Sequence, residues 1–171
     1  GIRHSMGLYL LPITEYLDTG RELFSFASAL NVLVIGIGSP IFGAISDKYG
    51  SGKAALLSVI IVIISLLWMA NIQSASDVIV SQALLGFGSA GCGTAVILGA
   101  VGRSVRAENR TLSLGIVMAA GSFGQFIMVP SITYGIEIIG WSQSILLLAG
   151  VASLMLIFCY FLNFSSISEA S

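Results

Sequence analysis

Arg3 carries the clearest chemistry in this sequence, because it stands in an opening segment that is otherwise almost free of charge. That segment should be helical and end near Thr14 or Glu15. At about 1.5 Å per residue, Arg3 then lies roughly 17 Å below the end. That depth is close to the midplane of an apolar bilayer core about 30 Å thick. A charge there costs about 2.5 kcal/mol or more, so it should face water or a partner. No acid of this chain lies at matching depth. An organic anion is the natural partner, since a guanidinium pairs bidentately with a carboxylate. The competing reading is an internal ion pair or a carbonyl contact. His4, the sole histidine, is adjacent and can donate, accept or titrate near neutral pH. Tyr9, Asn31 and Gln125 are further polar groups inside apolar runs. Each can line a cavity or bond a neighbouring helix. Arg3, His4, Tyr9, Asn31 and Gln125 are therefore the candidate substrate contacts.

A second constellation runs from Gly43 to Lys53, Gly-Ala-Ile-Ser-Asp-Lys-Tyr-Gly-Ser-Gly-Lys. Its glycines permit a tight turn between two helices. Asp47, beside Lys48 and Lys53, can make charge contacts between helices that hold one conformation and break to reach another. The plain alternative is an ordinary polar loop. Other apparent motifs fail. Gly50-Ser51-Gly52-Lys53 is no phosphate loop, because Asp47 occupies the first glycine place and Ala54 replaces the Ser or Thr. Cys92 and Cys159 lie in apolar runs and read as small buried hydrophobes. No paired carboxylates and no His–Cys cluster suggest hydrolysis, so neither a metal, a cofactor nor an enzyme is expected.

The composition says what must position these groups. Of 171 residues 56% are hydrophobic and 9% are charged, against a usual charged share of about 25%. Mean hydropathy is +1.00. Seven bases and eight acids are too few to clothe a soluble domain of this length. The chain belongs in lipid, and no basic run suggests nucleic acid. A span needs about 20 apolar residues. The uncharged runs predict six helices, at about 1–15, 22–46, 54–73, 77–103, 111–137 and 142–163, the first of them truncated. Residues 1–163 form one transmembrane half-bundle, and 164–171 read as the start of a cytoplasmic linker. Thr19 with Glu22 fits a capping box for the second helix, and Ser76 and Ser142 are candidate caps for the fourth and sixth. The glycines of helix four (Gly86, Gly88, Gly91, Gly93) and helix five (Gly115, Gly121, Gly124) imply close helix packing. Gly124 and Pro130 are also candidates to bend helix five in gating.

Charge placement orients the bundle. Lys48 and Lys53 lie between helices two and three, and Arg103, Arg106 and Arg110 between four and five. The opposite side carries only Arg21. Basic loops stay cytoplasmic, so both ends of the half should face the cytoplasm. The sequon Asn109-Arg110-Thr111 then falls on the cytoplasmic side.

With six helices around it, the 43–53 junction resembles the signature of the major facilitator superfamily. Gly43, Asp47, Gly50 and Lys53 match its four places. The resemblance covers the whole chain and implies an all-α membrane protein, one half of a twelve-helix fold. In such a half, two three-helix repeats of inverted topology are implied, although the sequence offers only weak self-similarity between helices two and five. Residues 1–9 and 115–125 look like the oxalate/formate antiporter and monocarboxylate transporter branch. Ser81 and Gln82 stand before Gly86 where many members place an arginine, a departure that bears on proton coupling. The resemblance implies a secondary active transporter in the plasma (inner) membrane that moves a small organic anion, such as a mono- or dicarboxylate, by alternating access. Gly43, Asp47, Lys48, Gly50 and Lys53 would be its conformational switch. Its partners would be the lipid bilayer, the anion, a coupled ion or counter-substrate, and a missing C-terminal half. The alternatives are a non-transporting scaffold or partner subunit and, behind it, an intramembrane enzyme.

Overall fold

The structure is a computed structural model that describes residues 2–93, 98, 101 and 105–168, with side chains excepted at 3, 4, 107 and 158–168. Its described elements are helical throughout. A 3-10 stretch, Ile2–Tyr9, leads into α1 (Leu10–Tyr16). Then follow α2 (Arg21–Tyr49), α3 (Ser51–Ala70), α4 (Ala75–Gly91), a short 3-10 turn (Ala107–Asn109), α5 (Arg110–Ile139) and α6 (Trp141–Ser168). Three of them, α2, α3 and α5, are each long and apolar enough to cross a membrane. The α6 stretch Trp141–Ile157 is apolar as well.

The opening segment is not one α-helix. Pro12 supplies a physical reason. Inside a continuous α-helix its ring would clash with the carbonyl of Leu8, whereas in the first turn its missing N–H is not needed. A helix restarting at Leu10 puts Pro12 in that first turn. The preceding residues wind as a 3-10 helix, with about 2.0 Å of rise each. The backbone at Arg3 therefore lies about 22 Å below the end of α1, a few ångströms deeper than an all-α reading gives.

The expected caps are displaced. Gly20, not Thr19, caps α2, and no side chain bonds its first turn. The Thr19 hydroxyl is buried without a partner. Ser74, not Ser76, caps α4 in a reciprocal capping box with Asp77. Asp77 is the first residue that puts a carboxylate three positions after a serine, which is the spacing the box needs. Ser142 does not cap α6 but donates to the Ala70 carbonyl at 2.6 Å, tying α6 to the end of α3.

The helices pack as α2 on α4, α3 on α4 and α6, and the Ile2–Tyr9 stretch on α5. The main core gathers Tyr9, Ile13, Phe24, Leu66, Leu85, Ile132 and Ile145. A smaller core of Phe42, Ala54 and Ala90 sits toward the α2–α3 junction. Helix four is where small residues matter. A Cβ on Gly86 would collide with the Asn31 carbonyl, one on Gly91 with the Phe42 ring, and one on Gly88 with Val62. The glycines of helix five behave otherwise. Among the described residues, a Cβ added to Gly115, Gly121 or Gly124 would have nothing within 4 Å, and Ile132 is the buried residue of α5. The helix also runs unbroken through Gly124 and Pro130.

A repeat of ninety residues emerges from the backbone. Pro40 and Gly50 recur as Pro130 and Gly140. Gly50 (φ 93°, ψ 148°) ends α2 and Gly140 (φ 83°, ψ 165°) ends α5. Both conformations are essentially open to glycine alone. Each glycine is the sole link to the next helix. The hydrogen bonds match as well: Gly50 N to Ser46 O at 3.0 Å and Ala54 N to Gly50 O at 3.3 Å, against Gly140 N to Ile136 O and Ser144 N to Gly140 O, both at 3.1 Å. Ala54, Ser58, Val59 and Val62 are buried on α3, and ninety residues on Ser144, Leu148, Ala149 and Ala152 are buried on α6. The packing follows the same exchange. Helix α2 meets α4, the first segment meets α5, and α3 meets α6.

Candidate functional site

The candidate contacts fall into two places. The first is the corner made by the Ile2–Tyr9 stretch, α5 and α6. Tyr9 is fully buried there, with its hydroxyl 2.9 Å from the Ser144 hydroxyl on α6. Gly135 of α5 closes on the same serine, so that a Cβ added to it would come within 3.2 Å of Ser144 Oγ. The Tyr9–Ser144 pair thus stands where three elements meet. Helix α5 presents Met128, Ile132 and Ile136 to this core. Gln125, three residues before Met128, lies on the same stripe and is half-buried. Arg3 and His4 belong to the backbone stretch that packs on α5, and their side chains lie outside the described residues.

The second place is the α2–α4 seam. Asn31 turns away from the first corner and into α4. Its Nδ2 donates to the Gln82 carbonyl at 2.7 Å and to Gln82 Oε1 at 3.2 Å. Both residues are almost fully buried, and Gln82 Nε2 is a buried donor with no partner. In the sequence Gln82 stands out only as the residue near which many superfamily members place an arginine. The usable signal is an amide four residues before Gly86, one helical turn from the contact that brings the backbones together. Toward the other end of the seam, Ser58 of α3 donates to the Gly88 carbonyl and to Cys92 Sγ at 3.0 Å. Cys92 is half-buried and behaves as the small packed residue its apolar run suggests. The side chain of Cys159 lies outside the described residues.

The 43–53 junction is held by hydroxyls. Ser46 and Ser51 meet at 2.9 Å across Gly50. Lys48 extends over the Tyr49 ring at 5.2 Å from its centroid. Asp47, Lys48 and Lys53 are all exposed at this end.

The opposite end is stitched by Asp77. Its carboxylate accepts from Gln73 N at 3.1 Å, Ser74 N at 2.9 Å, Ser74 Oγ at 2.8 Å and Trp68 Nε1 at 3.2 Å. These donors, the Gln73 amide foremost, hold its pKa below the usual carboxylate value. Tyr16 and Trp141 pack nearby with their rings tilted at 57° and centroids 5.1 Å apart. An open recess of about 350 Å³ lies between them and Asn71 and Gln73. It is a dimple at the rim, at the far end of α1 from Arg3. Among the described residues no group of three or more His, Cys, Asp or Glu could hold a metal.

The sequence profile of the Major Facilitator Superfamily matches residues 3–168. Monocarboxylate transporter 11 of Mus musculus is 24% identical over 155 residues, which cover 88% of this chain and 34% of that protein. Monocarboxylate transporter 11 of Homo sapiens is 26% identical over 156 residues, covering 88% and 32%. The chain thus spans about a third of the length of these curated relatives. No solved structure matches it.

Proposed function

The chain belongs to the Major Facilitator Superfamily, and on that premise we propose that it is the N-terminal six-helix half of a secondary transporter that moves a small organic anion, a mono- or dicarboxylate, by alternating access. The observation that carries the substrate class is Arg3, a lone guanidinium in an apolar segment that packs on α5 beside the Gln125 stripe. In this reading Arg3 pairs with the carboxylate, and Gln125 and His4 add polar contacts, His4 also offering a proton site for a coupled ion. Tyr9 and Asn31 sit in two separate seams, bonded to Ser144 and Gln82, and serve this site by holding the helices around it. The likeness to monocarboxylate transporters over 88% of the chain supports the same class.

The remaining parts follow from this reading. The six spans number about 1–15, 22–46, 54–73, 77–103, 111–137 and 142–163, with a linker after 163. The basic loops face the cytoplasm of a plasma (inner) membrane, and the substrate site is completed by a second half. The protein is a carrier and not an enzyme. Gly43, Asp47, Lys48, Gly50 and Lys53 form a latch whose contacts break as the halves rock. The test is carboxylate binding to the full-length protein with Arg3 replaced. Arg3→Ala should abolish binding while the protein still inserts and folds, and Arg3→Lys should recover it only in part, because ammonium lacks the bidentate fork. Normal affinity in Arg3→Ala would remove Arg3 from the site.

A further inference from the structure

Glu137 is the only charged residue between Thr111 and Ser168. It stands three residues before Gly140, as Asp47 stands three before Gly50. The two glycines share a backbone conformation, a hydrogen-bond pattern and a place between two long helices. Both acids are exposed. Three spans, α3, α4 and α5, lie between the two junctions, so the junctions lie at opposite faces of the membrane. We propose that Glu137 is an outer-face latch, the counterpart of Asp47, which meets a Lys or Arg of a second six-helix unit when the outer side is closed. This inference rests on the transporter reading of the 43–53 junction.

The partner must come from outside the α5–α6 junction. Gln143 occupies the place that Lys53 has in the first repeat, and no base lies anywhere between Thr111 and Ser168. Arg21, the base at the same end, begins α2, whose packing partner is α4. Among the described residues, the most apolar stretch of α5 has none of its residues buried. Phe126 is 77% exposed, and Leu112, Phe123 and Tyr134 are exposed along its length. Relatives about three times as long as this chain supply room for a second unit against it. A carboxylate beside such a surface is drawn to a cation on the facing rim, and the contact is lost whenever that rim swings away.

The test is hydrogen–deuterium exchange of the full-length protein in nanodiscs. Glu137→Gln should raise exchange at the outer turns, residues 71–75 and 138–142, by about two- to fivefold, the population change that one exposed charge pair supports. It should lower exchange at residues 46–54. Asp47→Asn should do the reverse at both ends. Glu137→Asp keeps the charge and should resemble the parent. Glu137 is exposed and Gln nearly isosteric, so the fold is not at risk; Glu137→Lys, by repulsion, should deepen the same shift. No change at either end in Glu137→Gln and Glu137→Lys, or a shift of the same sign as Asp47→Asn, overturns the latch. If Asp47→Asn moves as expected and the Glu137 variants do not, the outer latch alone fails. If neither acid matters, the reading of the 43–53 junction fails with it.

Discussion

At the scale of residues, polar groups buried between apolar helices tie particular pairs of helices together. Asn31 makes two hydrogen bonds to Gln82. Removing a buried donor leaves its acceptors unsatisfied, while interhelical bonds in lipid are individually modest. Asn31→Ala should therefore lower stability by about 1–2 kcal/mol, read as a shifted unfolding midpoint in detergent. Gly86→Val should be more damaging, because the added carbons meet the Asn31 backbone and not a flexible side chain. Asp77 gives a pH signature. Its folded pKa is depressed, so its contribution is present above the unfolded carboxylate value and is lost as pH falls through the lower, folded one. The melting difference between the parent and Asp77→Ala should shrink as acid is added below the usual carboxylate range. A difference that is flat with pH would show that the capping box is not ionic. The sequence exposes Asn31 and Tyr9 as polar residues in apolar runs, yet not what each touches. That depends on which helices become neighbours, and α2 meets α4.

At the scale of elements, the single-glycine links define the architecture. Both sit at φ and ψ values that a side chain resists. Gly50→Ala and Gly140→Ala should each cost about 1–3 kcal/mol, with similar losses at the two sites if the repeat is as regular as its backbone. A large loss at one and none at the other, in the same unfolding measurement, would argue against equivalence. In the sequence the repeat is faintly visible as kinship between helices two and five. Its sharper marks, Pro40 with Pro130 and Gly50 with Gly140, are only four residues in a long apolar sequence and gain meaning from the shared conformation. The helices themselves can be read directly, because uncharged runs in lipid leave the backbone no alternative to helix. Their ends cannot. Pro12 redirects the first segment, and Ser74 outcompetes Ser76 because Asp77 lies at the right distance to reciprocate.

At the scale of the whole molecule, a membrane-resident six-helix unit of the superfamily is what composition, helix order and the Gly43-to-Lys53 junction imply. The packing is uneven. Among the described residues, α2, α3 and α4 enclose a glycine-lined seam, whereas α5 touches its neighbours along one stripe and leaves large apolar side chains uncovered. That asymmetry fits a unit with one finished side and one side that meets lipid or a second unit. The proposed substrate site is the least readable part, since a cavity shared with a second unit would take its shape from both. The proposed activity is transport of an organic anion. Its most direct test is uptake of a radiolabelled monocarboxylate by proteoliposomes holding the full-length protein, with Arg3→Ala in parallel. Saturable uptake in the parent that collapses in the variant is the predicted result. Liposomes that take up no more mono- or dicarboxylate than empty ones, with the protein folded and inserted, would contradict it.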